Sequence, residues 1–159
     1  MNEEPSRKII MYTDGSSLGN PGPGGFGTLL LFGPYRKEIS AGFQLTTNNR
    51  MELMAVIAGL EALKYKNSEV TVYTDSKYVV DSVEKGWLFN WIKLRFKGKK
   101  NRDLWMRFHE VYLLHQVKFV WVKGHASIPG NERCDQLAVA AANGSNLVVD
   151  EGFIQERHL

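Results

Sequence analysis

The sequence predicts an α/β fold in which helices pack on a mixed β-sheet, and two features indicate it. The first three predicted elements are strands, and from residue 48 onward helices alternate with strands. A meander followed by this alternation implies a mixed sheet with helices packed on it. Two of the strands also end in a Thr-Asp step, at residues 13–14 and 74–75. Strand ends are where ligands bind in α/β sheets.

The three N-terminal strands are indicated by apolar runs and tight turns. Residues 8–13 are apolar and rich in β-forming side chains, and Asp14 follows them directly before Gly15. Residues 26–32 and 36–45 flank a Gly-Pro-Tyr turn, so we expect them to form a hairpin.

The later elements are mostly helices. Apolar side chains recur at helical spacing in residues 48–65, and a short β-branched strand at 70–74 ends at Asp75. The remaining helices are expected at 76–85, 103–115 and 131–143, with a strand at 117–122. We expect a single domain over residues 1–159, with a core at 8–143, loose tails at 1–7 and 144–159, and a basic segment at 85–102.

The composition is that of a globular protein without a membrane segment. Hydrophobic residues make up 43% of the chain and charged residues 23%, and no apolar run approaches the length of a membrane span. The first eight residues are polar and do not predict a signal peptide. Cys134 is the single cysteine, which excludes an internal disulfide and suits a reducing compartment. We therefore expect a cytoplasmic protein, and nothing in the sequence suggests more than a monomer.

Positive charge is concentrated in one part of the chain. Residues 85–102 contain seven basic residues and no acidic one, which leaves 13 basic against 17 acidic residues elsewhere. A mildly acidic body with a concentrated basic segment points to a polyanionic partner.

Two of the acids are expected to meet at one end of the sheet. If the strands before Asp14 and Asp75 are parallel neighbours, these two carboxylates lie side by side. At about 4 Å they would repel by roughly 4 kcal/mol at an effective dielectric constant near 20. Either a shared proton or a bound divalent cation would offset this repulsion. The alternative is that Asp14 is an ordinary turn residue.

Two further acids have both a structural and a functional interpretation. Glu52 lies in the first turn of a predicted helix, where it could complete a capping box or hold a ligand. Asp135 lies inside the last helix, where it could pair with Arg133 at the surface or point towards the sheet end.

Six motifs, in order along the chain, are very similar to bacterial type 1 ribonuclease H. They are Thr13-Asp14-Gly15-Ser16, the loop at residues 20–25, residues 46–53, Thr74-Asp75-Ser76, residues 121–126, and residues 131–135. The resemblance runs from about residue 8 to residue 143. It implies the ribonuclease H-like fold, with a five-stranded mixed sheet flanked by helices.

The resemblance also implies an activity and a set of catalytic residues. Asp14, Glu52, Asp75 and Asp135 would be the metal ligands, and oxygen-only ligands suit Mg²⁺, with Mn²⁺ as a possible substitute. The reaction implied is two-metal endonucleolytic hydrolysis of the RNA strand of an RNA–DNA hybrid, which leaves 5′-phosphate and 3′-hydroxyl ends. His125 would deliver a proton to the leaving group or help product release, although a lone histidine is more often structural.

The substrate-binding residues implied by the resemblance lie in two groups. The first comprises Gly15, Ser16, Asn20, Asn48, Asn49 and Lys77. The second belongs to the basic segment, which resembles the family's basic protrusion, and comprises Trp87, Lys93, Arg95, Lys97, Lys99 and Lys100. The asparagines could instead be turn and capping residues.

The sequence departs from the family in both groups. Many relatives have Gln at the position of Lys77, where a lysine could hold a phosphate instead. The basic protrusion, which in the family grips the DNA strand, is a few residues shorter here, so we expect a weaker grip. Trp87, Trp91 and Phe96 are expected to form the packing core of the protrusion, because a duplex offers no free base faces for stacking.

Two other functions are compatible with the same residues. One is a hybrid- or duplex-binding module without turnover, and the other is a different nuclease or a transposase-type enzyme on the same fold. The four acids argue against the first, since acids near phosphates weaken binding unless a metal is present.

Overall fold

The computed structural model describes residues 7–124 and 128–158 as a mixed sheet between two layers of helices. The strands are β1 (Lys8–Ser17), β2 (Gly22–Phe32), β3 (Tyr35–Thr46), β4 (Glu69–Thr74), β5 (Gln116–Trp121) and β6 (Leu147–Val148). The helices are α1 (Asn48–Glu61), α2 (Lys77–Glu84), α3 (Trp87–Lys93), α4 (Arg102–Tyr112), α5 (Pro129–Ala142) and α6 (Glu151–Arg157). The predicted α/β fold with a mixed sheet and flanking helices is confirmed.

The strands lie in the order β5-β4-β1-β2-β3-β6. The pairs β1–β2 and β2–β3 are antiparallel, whereas β1–β4, β4–β5 and β3–β6 are parallel. The sheet thus has six strands in the described chain rather than the five expected. The additional strand is only two residues long and lies in the C-terminal segment, where no apolar alternation indicates it.

Helices cover both faces of the sheet. Successive β2 residues alternate between the faces, so Thr28 points to α1, where its hydroxyl donates to the Ala55 carbonyl at 2.6 Å, while Gly27 lies against α5. The main core lies on the α1 side, and its largest fully buried side chains include Trp105, Phe108 and Met11.

The C-terminal segment is not a loose tail, contrary to the expectation for residues 144–159. It forms β6 and α6, and Asp150, the N-cap of α6, is buried and bonded to Arg50 at 2.8 Å. Sequence patterning misses this because a polar contact, rather than an apolar stripe, fixes the segment. Within the described ranges, none of the helices combines the length and the apolar character that a membrane span requires.

Candidate active site

Three carboxylates from separate parts of the chain meet at one end of the sheet. Asp14 lies in β1, Glu52 in α1 and Asp75 directly after β4, and one oxygen of each lies within 4.8 Å of the others. The parallel pairing of β1 with β4 brings Asp14 and Asp75 together, as the sequence predicts. Asp14 is therefore a strand residue, and its interpretation as a turn residue is wrong.

Gly15 explains why Glu52 is so close to Asp14. A side-chain carbon at Gly15 would overlap the backbone of Met51 and Glu52, so β1 and α1 touch here, backbone against backbone. The Gly15 amide donates to Asp14 Oδ1 at 3.0 Å, which orients that carboxylate. The contact holds the first two acids in place through the main chain rather than through flexible side chains.

Asp135 reaches the same place from α5. Together with Asp14 and Asp75 it lines a cavity of about 250 Å³. The helix can lie very close to the sheet because Gly25 and Gly27 have no side chain. A side-chain carbon at either position would overlap the α5 backbone. All four predicted acids therefore border one site.

The end of β4 is held by its neighbours. Trp121 donates from Nε1 to the Asp75 carbonyl at 3.2 Å, and the Ser76 hydroxyl caps α2 by accepting from the Val79 amide at 3.2 Å. The Lys77 ammonium lies 4.7 Å from the centre of the Trp121 ring, close enough for a cation–π contact. Lys77 is thus held against Trp121, two residues after Asp75 in the chain.

Burial and mutual repulsion raise the pKa of two of these acids, Asp14 and Glu52. Burial, reinforced by the charges of Asp75 and Asp135, raises the pKa of Asp14 to about 7, although its hydrogen bond with Glu52 acts in the opposite direction. Burial and the neighbouring Asp14 raise the pKa of Glu52 well above its usual value. The site therefore resists carrying its full negative charge unless a cation is bound.

The donor set fits a divalent metal ion. All the clustered groups are carboxylates, the ligands that Mg²⁺ and Mn²⁺ prefer. Glu52 is only 4% exposed, and its Oε2 has no hydrogen-bond partner among the residues that the structure describes. A buried carboxylate oxygen without a partner is costly, and a bound cation would satisfy it.

The alternative interpretations of Glu52 and Asp135 are not supported. The N-cap of α1 is Thr47, whose hydroxyl accepts from the Arg50 amide at 3.2 Å, so Glu52 is the fifth helical residue and lies two residues beyond the position that a capping box uses. Arg133 pairs with Glu38 at 2.6 Å rather than with Asp135.

The predicted substrate asparagines lie together at the start of α1. Asn20 accepts a hydrogen bond from the Asn48 amide through Oδ1 at 3.1 Å, so it links the loop after β1 to this helix. Asn48 and Asn49 are exposed, and Ser16 and Gly15 lie in the neighbouring part of β1. Asn20 and Asn49 border a separate groove, described below.

The basic segment contains α3 and an irregular return. Its predicted cationic residues are exposed: Lys93, Arg95, Lys97, Lys99 and Lys100. Phe96 is buried and Trp91 packs beside it, with ring centres 6.5 Å apart, in agreement with a packing core. Trp87 is 43% exposed instead and lies under the Lys85 ammonium, so it does not belong to that core. His125 lies outside the described residues.

Asn131 also lies at the site, although its sequence motif indicates no role for it. It lines the acid cavity and donates from Nδ2 to the Tyr73 carbonyl at 3.2 Å, while its buried Oδ1 has no partner within the described parts of the chain. Its spacing of four from Asp135 places both on one face of α5, and this periodicity is the signal that could have found it.

Comparison with known proteins agrees with this site. Residues 6–143 match the family model for RNase H. The chain is 55% identical over 149 residues to a ribonuclease H of Desulforamulus reducens, covering 91% of this chain and 93% of that protein. It is 51% identical over 158 residues to a ribonuclease H of Rippkaea orientalis, covering 96% of each.

Solved structures show the same similarity. LC9-RNase H1, described as a type 1 RNase H with the type 2 active-site motif, superposes with a TM-score of 0.80 at 32% identity, over 99% of this chain and 84% of that one. LC11-RNase H1, solved in complex with an RNA/DNA hybrid, superposes with a TM-score of 0.65 at 26% identity, over 85% and 96% of the two chains.

The fold and the acid cluster define a hydrolase of the nuclease class, with a site that could hold a divalent metal ion. The chain belongs to the ribonuclease H family. The family resemblance predicted from the sequence is thereby confirmed.

Proposed function

We propose that this protein is an endonuclease that hydrolyses the RNA strand of RNA–DNA hybrids and leaves 5′-phosphate and 3′-hydroxyl ends. The observation that carries the proposal is the carboxylate cluster, in which oxygens of Asp14, Glu52 and Asp75 lie within 4.8 Å of one another. The hybrid is favoured as substrate because the similar LC11-RNase H1 is described in complex with one.

The metal ions proposed are two Mg²⁺ during catalysis, with Mn²⁺ as a possible substitute, held by Asp14, Glu52, Asp75 and Asp135. Bound there, divalent ions would lower the pKa of a water molecule and stabilise the leaving oxygen. The need for cations is supported by the raised pKa of Asp14 and by the unpartnered Oε2 of Glu52.

The protein's own residues would position the reacting groups. Asp14, oriented by the Gly15 amide, would hold metal together with the neighbouring acids. Glu52, fixed by the contact of α1 with β1, would orient the attacking water. Attack of that water on phosphorus forms one P–O bond and breaks the bond to the 3′ oxygen; the water releases a proton to solvent, and the 3′ oxygen takes up a proton as it leaves. His125 is proposed to supply that proton or to help product release.

The hybrid would be held by two groups of residues near the acids. Gly15, Ser16, Asn20, Asn48 and Asn49 would contact it from β1, the loop after β1 and the start of α1, and an amide suits a 2′-hydroxyl because it both donates and accepts hydrogen bonds. Lys77 would hold a phosphate, since its ammonium lies against Trp121, whose indole N–H donates to the Asp75 carbonyl.

The basic protrusion is proposed to bind the DNA strand of the hybrid. Its exposed cations are Lys93, Arg95, Lys97, Lys99 and Lys100, and Trp87, exposed at the start of α3, is proposed to contact the strand as well. Phosphate contacts of this kind make affinity depend on salt. We also propose that the protein acts as a cytoplasmic monomer; its single, buried cysteine is consistent with a reducing compartment.

The decisive test is cleavage of an end-labelled RNA annealed to DNA, with RNA duplex and DNA duplex as controls. We expect internal cuts only in the RNA of the hybrid, lost on chelation and in the variant Asp14→Asn. Asp81→Asn is the matched control, because Asp81 is a carboxylate of α2 that pairs with Lys85 outside the cluster, and it should retain activity. Tight hybrid binding without cleavage in Mg²⁺ or Mn²⁺ would instead support the binding-module interpretation.

A further inference from the structure

The C-terminal helix forms one wall of a second groove, of about 620 Å³. The opposite wall includes Asn20 and Asn49, and the end of the basic protrusion contributes Lys99 and Lys100. From α6, the groove receives Phe153, Glu156 and Arg157. The groove therefore joins the two proposed substrate-binding groups to a segment that has no role so far.

The helix is fixed in this position by buried polar contacts at its start. Asp150 accepts from Arg50 Nε and Nη2, both at 2.8 Å, and from the Thr46 hydroxyl at 2.7 Å. Arg50 is only 1% exposed and also binds Asp103, at the start of α4, at 2.7 Å. The start of α6 is thereby tied to both α1 and α4.

The other end of α6 is tied to the return of the basic protrusion. The Glu156 carboxylate accepts from the Asn101 amide, with N–O distances of 2.9 and 3.2 Å. Asn101 has a left-handed backbone, with φ of 65°, and donates from Nδ2 to the Tyr78 hydroxyl at 3.0 Å. Because Glu156 is engaged in this contact, α6 is braced along its length.

The charge of the groove suits a polyanion. Lys99, Lys100 and Arg157 contribute three positive charges, whereas Glu156 is the negative side chain among the described lining residues. Arg157 is exposed, and its guanidinium lies 5.5 Å from the centre of the Phe153 ring. Stacking of this kind limits the rotamers of the arginine while its N–H groups remain available for hydrogen bonds.

We propose that α6 is part of the nucleic-acid-binding surface and that Arg157 binds a backbone phosphate of the hybrid. The proposal depends on the proposed function, because it assumes that a hybrid lies across the neighbouring asparagines. The ligand group is a phosphodiester, which a guanidinium binds with two parallel hydrogen bonds.

The test measures hybrid affinity across salt concentrations, with Asp14→Asn as the common background so that the substrate stays intact. Adding Arg157→Ala should raise Kd about 5-fold at 50 mM salt and reduce the slope of log Kd against log salt by about 0.9, the value for one phosphate contact. That slope change makes the penalty about 3- to 4-fold smaller at 200 mM salt than at 50 mM. Arg157→Lys should retain most of the slope, because it keeps the charge.

Lys66→Ala is the matched control, since Lys66 is an exposed cation beyond the opposite end of α1. It should leave both affinity and slope unchanged. In the otherwise wild-type enzyme, Arg157→Ala should raise KM and leave kcat and the melting temperature unchanged.

The two proposals fail in different ways. If the wild-type protein cuts hybrids while Arg157→Ala and Lys66→Ala give the same Kd and slope, the role of Arg157 is refuted and the proposed function stands. If the wild-type protein does not cut hybrids, the proposed function itself is refuted. A loss of kcat with unchanged Kd in Arg157→Ala would also overturn the phosphate contact.

Discussion

Removing the charge of Asp14 should stabilise the metal-free protein above neutral pH while abolishing cleavage. The pKa of Asp14 is about 7 in the folded protein, against 3.8 for an ordinary aspartate. Between these values the unfolded chain ionises while the folded protein keeps its proton, so the free energy of unfolding falls as pH rises from about 4 to about 7. A shift of roughly 3 units at about 1.36 kcal/mol each corresponds to about 4 kcal/mol.

The assay is urea unfolding in EDTA at several pH values from 4 to 9, on the wild-type protein and on Asp14→Asn. At pH 4 the two proteins should be nearly equally stable, since Asp14 is then protonated. At pH 8 the variant should be more stable by about 2 to 4 kcal/mol, because its neutral amide avoids the cost of burying a carboxylate. Titrating groups far from Asp14 cancel when the difference between the proteins is plotted against pH, whereas Glu52, whose pKa Asp14 raises, adds to the difference in the same direction.

The control is again Asp81→Asn, whose stability relative to the wild type should change by less than about 0.5 kcal/mol across the same pH range. Adding Mg²⁺ at pH 8 should stabilise the wild-type protein and not Asp14→Asn, because ligand binding to the folded state adds to stability. If Asp14→Asn is less stable than the wild type at pH 8, or if the difference does not depend on pH, the argument from burial is refuted.

Four further substitutions test how the site and the C-terminal segment are held. Gly15→Ala should cost about 1 to 3 kcal/mol in urea unfolding and lower kcat, since the new methyl group would overlap the α1 backbone; unchanged values would refute the close contact. Asp150→Asn should cost about 2 to 3 kcal/mol, and Asp103→Asn less, because Arg50 is buried and Asp150 is the more buried of its two partners; equal costs would contradict this ranking. Trp121→Phe should weaken Mg²⁺ activation about fivefold in a metal titration of activity, through the loss of one hydrogen bond that holds the end of β4; an unchanged midpoint would argue against that role.

The sequence predicts the residues of the acid site better than it predicts the contacts that hold the site and the C-terminal segment in place. Asp14 and Asp75 could be placed together because both follow apolar strands, and parallel neighbouring strands share an edge. The position of Glu52 beside these two acids could not be predicted from strand order in the same way. Its position depends on the backbone contact at Gly15, which is a tertiary feature and leaves no periodic pattern.

The C-terminal segment shows where sequence patterning stops being informative. Residues 144–159 have no long apolar stripe, so they were expected to be a tail. What orders them is an ion pair between Asp150 and Arg50, which are separated by 100 positions. Likewise, the β6 pairing of Leu147 with Gly42 is too short to produce a visible alternation.

The four acids come from β1, α1, the end of β4 and α5, so no short stretch of the chain contains the site. The site can exist only after the N-terminal meander and the last long helix have both docked on the sheet. Recovery of cleavage during refolding would therefore report assembly of the whole topology, including its most distant contacts. In this molecule catalytic activity is a stricter probe of native structure than helix content, which the local segments can regain earlier.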